Sequence, residues 1–159
     1  PLAAMPVPYE SAKLDTIHTP GHSTDHHVVW DQLTGTVFGA DLFLGVRVRV
    51  SHPWPREDVR REIGSLRRIV ALAPERYFDA HRGLVNDPVV QLSAKADWME
   101  ETVGAIDALV ARGWDDGAIQ RAVLGRERLS QLITGGDYSR RNFVASVRGS
   151  RTAVDPAAR

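Results

Sequence analysis

Two turn signals bracket one run of strong strand formers, and that bracketing constrains this chain more than any other feature. Pro20-Gly21 precedes the segment His26 to Asp31, which carries Val28, Val29 and Trp30, and Gln32-Leu33-Thr34-Gly35 follows it. β-Branched and aromatic residues held between turn residues read as a strand. Lys13 to Thr19, anchored by Leu14 and Ile17, is a second short strand, and Thr36 to Ala40 a third. The turn at 32–35 is short enough to join its two flanking strands as a hairpin. Apolar residues here run consecutively and do not alternate cleanly, so the strands are expected to be covered on both faces.

Helical spacing takes over further along. A long loop from Leu42 ends in His52-Pro53-Trp54-Pro55, and Pro55 is suited to a first helical turn. Val59, Ile63, Leu66 and Val70 follow at spacings of four, three and four, which predicts an amphipathic helix to about Ala73, ended by Pro74. Arg76 to Ala80 reads as a strand leading into His81. Trp98, Thr102, Ala105 and Leu109 run beside Met99, Val103, Ile106 and Val110 as a broad apolar helical stripe that Gly113 stops. Asp115 can cap a shorter helix to Leu124. Leu129, Leu132 and Ile133 mark another turn, Gly135-Gly136 a break, and Asp137 the cap of a last helix bearing Phe143, Val144 and Val147. The expected organisation is a sheet-bearing unit over 1–90, a helical tail over 91–150 and a disordered end at 151–159.

Composition excludes several classes. A chain of 159 residues can bury a core as one domain. Lys+Arg and Asp+Glu stand at 20 each, without the basic excess a nucleic-acid surface wants. Arg121, Arg126, Arg128, Arg140 and Arg141 read as solvated helix faces. There is no cysteine, hence no disulfide framework and no thiolate metal site. No apolar run is long enough to span a bilayer, and the first residues show no secretory pattern, so a cytoplasmic setting is expected.

Chemistry concentrates in three segments. Thr19-Pro20-Gly21-His22-Ser23-Thr24-Asp25-His26 places His22 in a turn between strands. Gly39-Ala40-Asp41-Leu42-Phe43 places Asp41 at a strand end, and Phe78-Asp79-Ala80-His81-Arg82-Gly83 does the same for His81. Imidazole and carboxylate suit a catalytic zinc or a related divalent metal, and a carboxylate can give one oxygen to each of two cations. Asp25 and His26 stand where they could orient His22. His52 lies in the loop that would border such a site. Arg47 and Arg49 alternate with Val46, Val48 and Val50, as an exposed edge or as a contact for an anionic substrate. His27 is expected on the face opposite His26, and His18 in a strand.

The order and context of these segments resemble the C-terminal half of the metallo-β-lactamase superfamily, in its glyoxalase II-like and β-lactamase-like branches. There a TPGH[ST] segment carries a metal-binding His, a Gly-Asp or Gly-x-Asp segment a bridging Asp, and a later strand end a further His. The spacings here, 41 − 22 = 19 and 81 − 41 = 40, suit that pattern. The resemblance covers roughly residues 13–90. It implies an α/β (α+β) fold in which this chain is the C-terminal half of an αββα sandwich, with one sheet, its outer helix and an added helical tail. It also implies one or two divalent ions, zinc foremost, in the complete protein, with His22, Asp41 and His81 as ligands. The implied chemistry is hydroxide attack on a thioester, ester, lactone or lactam, a small-molecule substrate. No general acid is evident in this chain.

The family's first-half signature HxHxDH is absent. His22-Ser23-Thr24-Asp25-His26-His27 does not supply it, because Thr24 stands in place of the middle His and Asp25 falls one position early. The chain begins at Pro1, and the expectation is the second half of a longer protein, inactive alone. Its sheet face bearing Ile17, Val28 or Val29, and Val37 or Phe38 should then be covered by the missing N-terminal half or by self-association. The competing expectation is a non-catalytic binding or assembly module that keeps the half-fold without a complete metal site.

Overall fold

The computed structural model describes residues 13–126, 135 and 137–154. Five strands, β1 Leu14–His18, β2 His27–Asp31, β3 Thr36–Phe38, β4 Arg76–Asp79 and β5 Gly83–Val85, form one sheet in sequence order. β1, β2 and β3 pair antiparallel. The β2–β3 turn is held by Asp31, whose carboxylate accepts from the Leu33 N–H and the Thr34 hydroxyl. β4 lies parallel to β3, so the chain must cross over, and the helix predicted from the 59–70 spacing is that crossover. β5 returns antiparallel from β4 through Gly83 at φ 69°. At three residues it is too short to leave a periodic signal in the sequence.

Helix α1 spans Val59–Ala71 and is capped by Asp58, which accepts from the Arg60 and Arg61 amides. Such a cap contributes about 1 kcal/mol. The expectation that Pro55 opens this helix is corrected: Pro55 lies in the preceding loop, and the side-chain acceptor sets the boundary. α2 spans Pro88–Ala111, starting well before the predicted stripe because Pro88 takes the first turn. Gly113 at φ 78° follows its end. α3, Asp116–Ile119, is capped by Asp115 as predicted and continues as a π-helical turn over Gln120–Leu124. α4 spans Arg140–Val154, four residues into the segment expected to be disordered. Its anchoring is polar as well as apolar, since the buried Ser146 hydroxyl accepts from the Val59 amide and donates to the Glu57 carbonyl. Residues 155–159, and the turn read at Leu129, Leu132 and Ile133, fall outside the described residues.

Sheet and helices share one core. Val28, Val37, Tyr77 and Val85 point from the sheet into a layer containing Leu66, Ile69, Met99, Ile106 and Phe143. Period-two alternation turns the neighbouring residues outward. Thr16, Val29, Phe38, Phe78 and Leu84 therefore align in register across all five strands on the far face. Phe38, Phe78 and Leu84 are 48%, 37% and 54% exposed, and the two phenyl rings stack 5.5 Å apart. Coverage on both faces is thus corrected for the described residues: helices pack on one face only. Of the alternatives left open by the sequence, Val29 and Phe38 belong to the bare face, while Ile17, Val28 and Val37 face the helices.

Candidate metal centre

The His22 loop is built by close approach to α1. The Thr19 amide donates to the His26 carbonyl and closes the loop at 2.8 Å. The Gly21 carbonyl accepts from the Asp58 amide at 2.7 Å, and the Pro20 carbonyl from the Ser65 hydroxyl at 2.7 Å. Gly21 sits at φ 150°, and a Cβ there would lie 2.4 Å from the Glu62 Cα. Only glycine lets the loop settle on the helix.

The Asp41 loop is held from two sides. Ala40 and Leu44 bracket it at φ 45° and 51°, a left-handed conformation that non-glycine residues adopt only where the surroundings enforce it. On one side the buried Lys95 ammonium donates to the Leu42 and Phe43 carbonyls, both at 2.8 Å, and to Glu62 at 2.6 Å. On the other side the buried Asp79 carboxylate accepts from the Leu44 amide at 2.7 Å. The second Asp79 oxygen accepts from the His81 and Arg82 amides, each at 2.9 Å.

These supports bring the three predicted groups together. His22 Nε2 lies 3.8 Å from Asp41 Oδ2, and His81 Nε2 lies 3.1 Å from Asp41 Oδ1. They open on a cavity of about 500 Å³ also lined by His52, Tyr138 and the apolar Leu44, Val48 and Val50. Asp41 Oδ1 is buried without a hydrogen-bond partner, although His81 Nε2 is so near. The contact is close but is not directed as a hydrogen bond. Ligands at ~2.0–2.1 Å from a tetrahedral centre stand about 3.3–3.4 Å apart, between the two observed separations. The donor chemistry fits a divalent metal in part. Among the described residues no group of three His, Cys, Asp or Glu side chains is arranged to hold a metal ion.

The remaining candidates separate cleanly. His26 Nε2 accepts from the Asp41 amide at 3.2 Å, which assigns the proton to Nδ1, the atom that donates to the Thr19 hydroxyl at 2.8 Å. His26 thus orients the Asp41 backbone, and its ring also meets that of His22 edge-on with centroids 5.9 Å apart. Burial is the main cause holding both His22 and His26 below the usual imidazole range, so both favour the neutral form that a metal ligand needs. Asp25 is exposed and accepts from the Ser23 hydroxyl; it is a local turn residue, which removes it from the site. His52 lines the cavity, its ring 6.0 Å from that of His22 and its Nδ1 donating to the Asp137 carbonyl at 3.1 Å. Arg47 and Arg49 are exposed while Val48 and Val50 line the cavity, so alternation splits this loop into two faces. The His27 and His18 rings contact the Asp25 and Thr24 carbonyls and each other, and the His18 carbonyl accepts from Arg68 at 3.2 Å.

Four supporting residues were missed in the sequence. Glu57 is 5% exposed, accepts from the His52 amide and lies 4.0 Å from His22 Nδ1. Burial, then the neighbouring Glu62, pushes its carboxyl up to about 8, so it is neutral at pH 7. Glu62 and Lys95 did leave a signal. Glu62 falls three residues after Val59 and four before Leu66, and Lys95 three after Leu92 and four before Met99, both on apolar helix faces. Asp79 left none beyond its place at a strand end.

The described residues form a mixed α/β unit: one five-stranded sheet, one helical layer, and His22, Asp41 and His81 gathered on the loops at one edge. The chain is similar in both sequence and fold to the metallo-β-lactamase superfamily. No family profile matches it. Beta-lactamase-like protein 2 homolog of Drosophila melanogaster is 36% identical over 80 residues, half of this chain and 25% of that protein. A metallo-beta-lactamase family protein from Thermus thermophilus shares the fold at a TM-score of 0.60 and 17% identity, over 84% of this chain and 41% of that one. An archaeal metallo-beta-lactamase superfamily protein from Sulfolobus tokodaii aligns at a TM-score of 0.41 and 24% identity, over 57% of this chain and 33% of its own. The chain therefore matches only a minor part of each relative's length. Among the described residues no helix is long and apolar enough to cross a membrane.

Proposed function

We propose that this chain supplies one half of a metal-dependent hydrolase centre, acting on a thioester, ester, lactone or lactam in the complete protein. The observation that carries this reading is the buried, unpartnered Asp41 Oδ1 with His81 Nε2 at 3.1 Å. His22 would hold one ion and His81 a second, with Asp41 shared between them, and zinc is the proposed metal. A divalent ion there would supply Lewis-acid polarisation of a substrate oxygen and a more acidic water. The chain's own contributions are positional. His26 fixes the Asp41 backbone, Lys95 and Asp79 fix its loop, and Leu44, Val48 and Val50 offer an apolar wall to a substrate.

Cobalt(II) titration of the chain, read by visible absorption, tests the ligands. Weak binding is expected, and His22→Ala, Asp41→Asn and His81→Ala should each weaken it about tenfold or more, ~1.4 kcal/mol. Binding indifferent to all three substitutions, or none at millimolar cobalt, overturns the ligand assignment. The incomplete cage favours the second reading, a non-catalytic binding module. The absence of any metal binding would select it.

The bare sheet face has a matching place in this reading. We propose that the first half of the sandwich covers Phe38, Phe78 and Leu84, and that the isolated chain self-associates through them. Contiguous apolar patches of this kind mark interfaces. Light scattering should show concentration-dependent association that Phe38→Ser/Phe78→Ser abolishes. A monodisperse monomer that binds no hydrophobic dye would count against it.

A further inference from the structure

We infer that Asp79 is a positioning residue that fixes the spacing of Asp41 and His81, an inference that rests on their proposed ligand roles. One buried carboxylate, 4% exposed, serves both loops. Its Oδ2 accepts from the Leu44 amide at 2.7 Å, three residues beyond Asp41, and its Oδ1 from the His81 amide at 2.9 Å. A third bond, from the Arg82 amide at 2.9 Å, fixes the direction in which the His81 loop leaves β4. Asp79 is the last residue of β4, so the clamp stands on the sheet. Arg82 closes the same link from outside, its Nε donating to the Leu44 carbonyl at 2.7 Å. The Asp41–His81 separation of 3.1 Å is therefore set by a group that touches neither ligand side chain.

Acceptors are needed on both sides of this residue, and that makes a carboxylate the required group. In Asp79→Asn one oxygen becomes an NH₂ donor. Its carbonyl can still receive the His81 and Arg82 amides, but the NH₂ then faces the Leu44 N–H, and the Asp41 loop loses its tie. Groups that orient metal ligands typically change metal affinity 10–100-fold when altered.

Cobalt(II) affinity and visible spectrum are measured on the full chain for wild type, Asp79→Asn and Asp79→Glu. Ile106→Ala, a core truncation off the cavity, serves as the control for stability loss. Amide hydrogen exchange at Leu44 and His81 is followed on the metal-free proteins. Asp79→Asn is expected to weaken cobalt about tenfold or more and alter its spectrum. Exchange should accelerate at Leu44 while His81 stays protected. Ile106→Ala should keep wild-type affinity at comparable or greater loss of stability. Wild-type affinity and spectrum in Asp79→Asn, or an equal fall in Ile106→Ala, overturns the inference. If Asp79→Asn does not fold, Asp79→Glu, whose extra methylene displaces both oxygens, must show the affinity loss instead. Wild type that binds no cobalt refutes the ligand reading, and Leu44 exchange then decides the clamp alone: unchanged protection in the variant overturns it.

Discussion

Replacing Lys95 with methionine should lower stability by about 3–5 kcal/mol, the range for breaking a buried ion pair from one side. Lys95 is 1% exposed and uses all three ammonium hydrogens, on Glu62, the Leu42 carbonyl and the Phe43 carbonyl. Methionine matches the stem but leaves a buried carboxylate and two carbonyls without their donor. Domains hold only about 5–15 kcal/mol in total, so the variant should sit near its unfolding threshold. Urea unfolding gives the number. Lys95→Met/Glu62→Leu should recover most of the loss, because removing both charges is far less costly than stranding one. A single-variant loss under about 1 kcal/mol would mean that water reaches the pair.

Gly21→Ala is the second substitution with a large expected effect. The new Cβ would meet the Glu62 Cα and amide nitrogen at 2.4 and 2.5 Å, backbone atoms in the first turn of α1 that cannot swing aside. Overpacking of this kind costs about 1–3 kcal/mol. The φ of 150° adds strain of similar order for any side chain. A loss of about 3 kcal/mol or more is expected, a fall in Tm of roughly 6–12 °C for a chain of this size. The relief route is to lift the Thr19–His26 loop off the helix, so His22 should leave the cavity and cobalt affinity should fall in step. Gly104→Ala is the contrast. Nothing lies within 4 Å of its Cβ position, and alanine there should stabilise α2 by up to about 1 kcal/mol. Equal Tm values for Gly21→Ala and wild type would show that the loop is not seated as described.

What could be read in the sequence was local. The turn at 32–35, the 59–70 spacing and Gly113 each act within a few residues, and β2, β3, α1 and the end of α2 followed from them. The strand-end positions of His22, Asp41 and His81 were legible for the same reason. Whether a strand's odd or even residues face the helices depends on which face a distant helix covers, so Val28 against Val29 stayed open until the sheet was seen. The link from His26 to Asp41 was not legible because its acceptor role reaches across a hairpin. Asp79 was overlooked because its meaning lies in two amides from loops that meet only in the fold. Glu62 and Lys95 differ: an acid and a base on the buried faces of two successive helices were a visible sign of a buried pair.

The supports around Asp41 also give the cavity a field. Asp41, Glu62 and Asp79 contribute carboxylates around it, Lys95 offsets Glu62, and the Arg82 guanidinium on the Leu44 carbonyl adds a second positive charge. Glu57, kept neutral by burial, adds nothing further at pH 7. Leu44, Val48 and Val50 form its apolar wall, while the His81 side of the cavity stays open to solvent. The carboxylate of Asp41 is the acidic side chain that lines the cavity itself, and it favours a small cation over an anion there. On the proposed reading, a cation would have to be in place before this part of the fold could accept a substrate carrying negative charge.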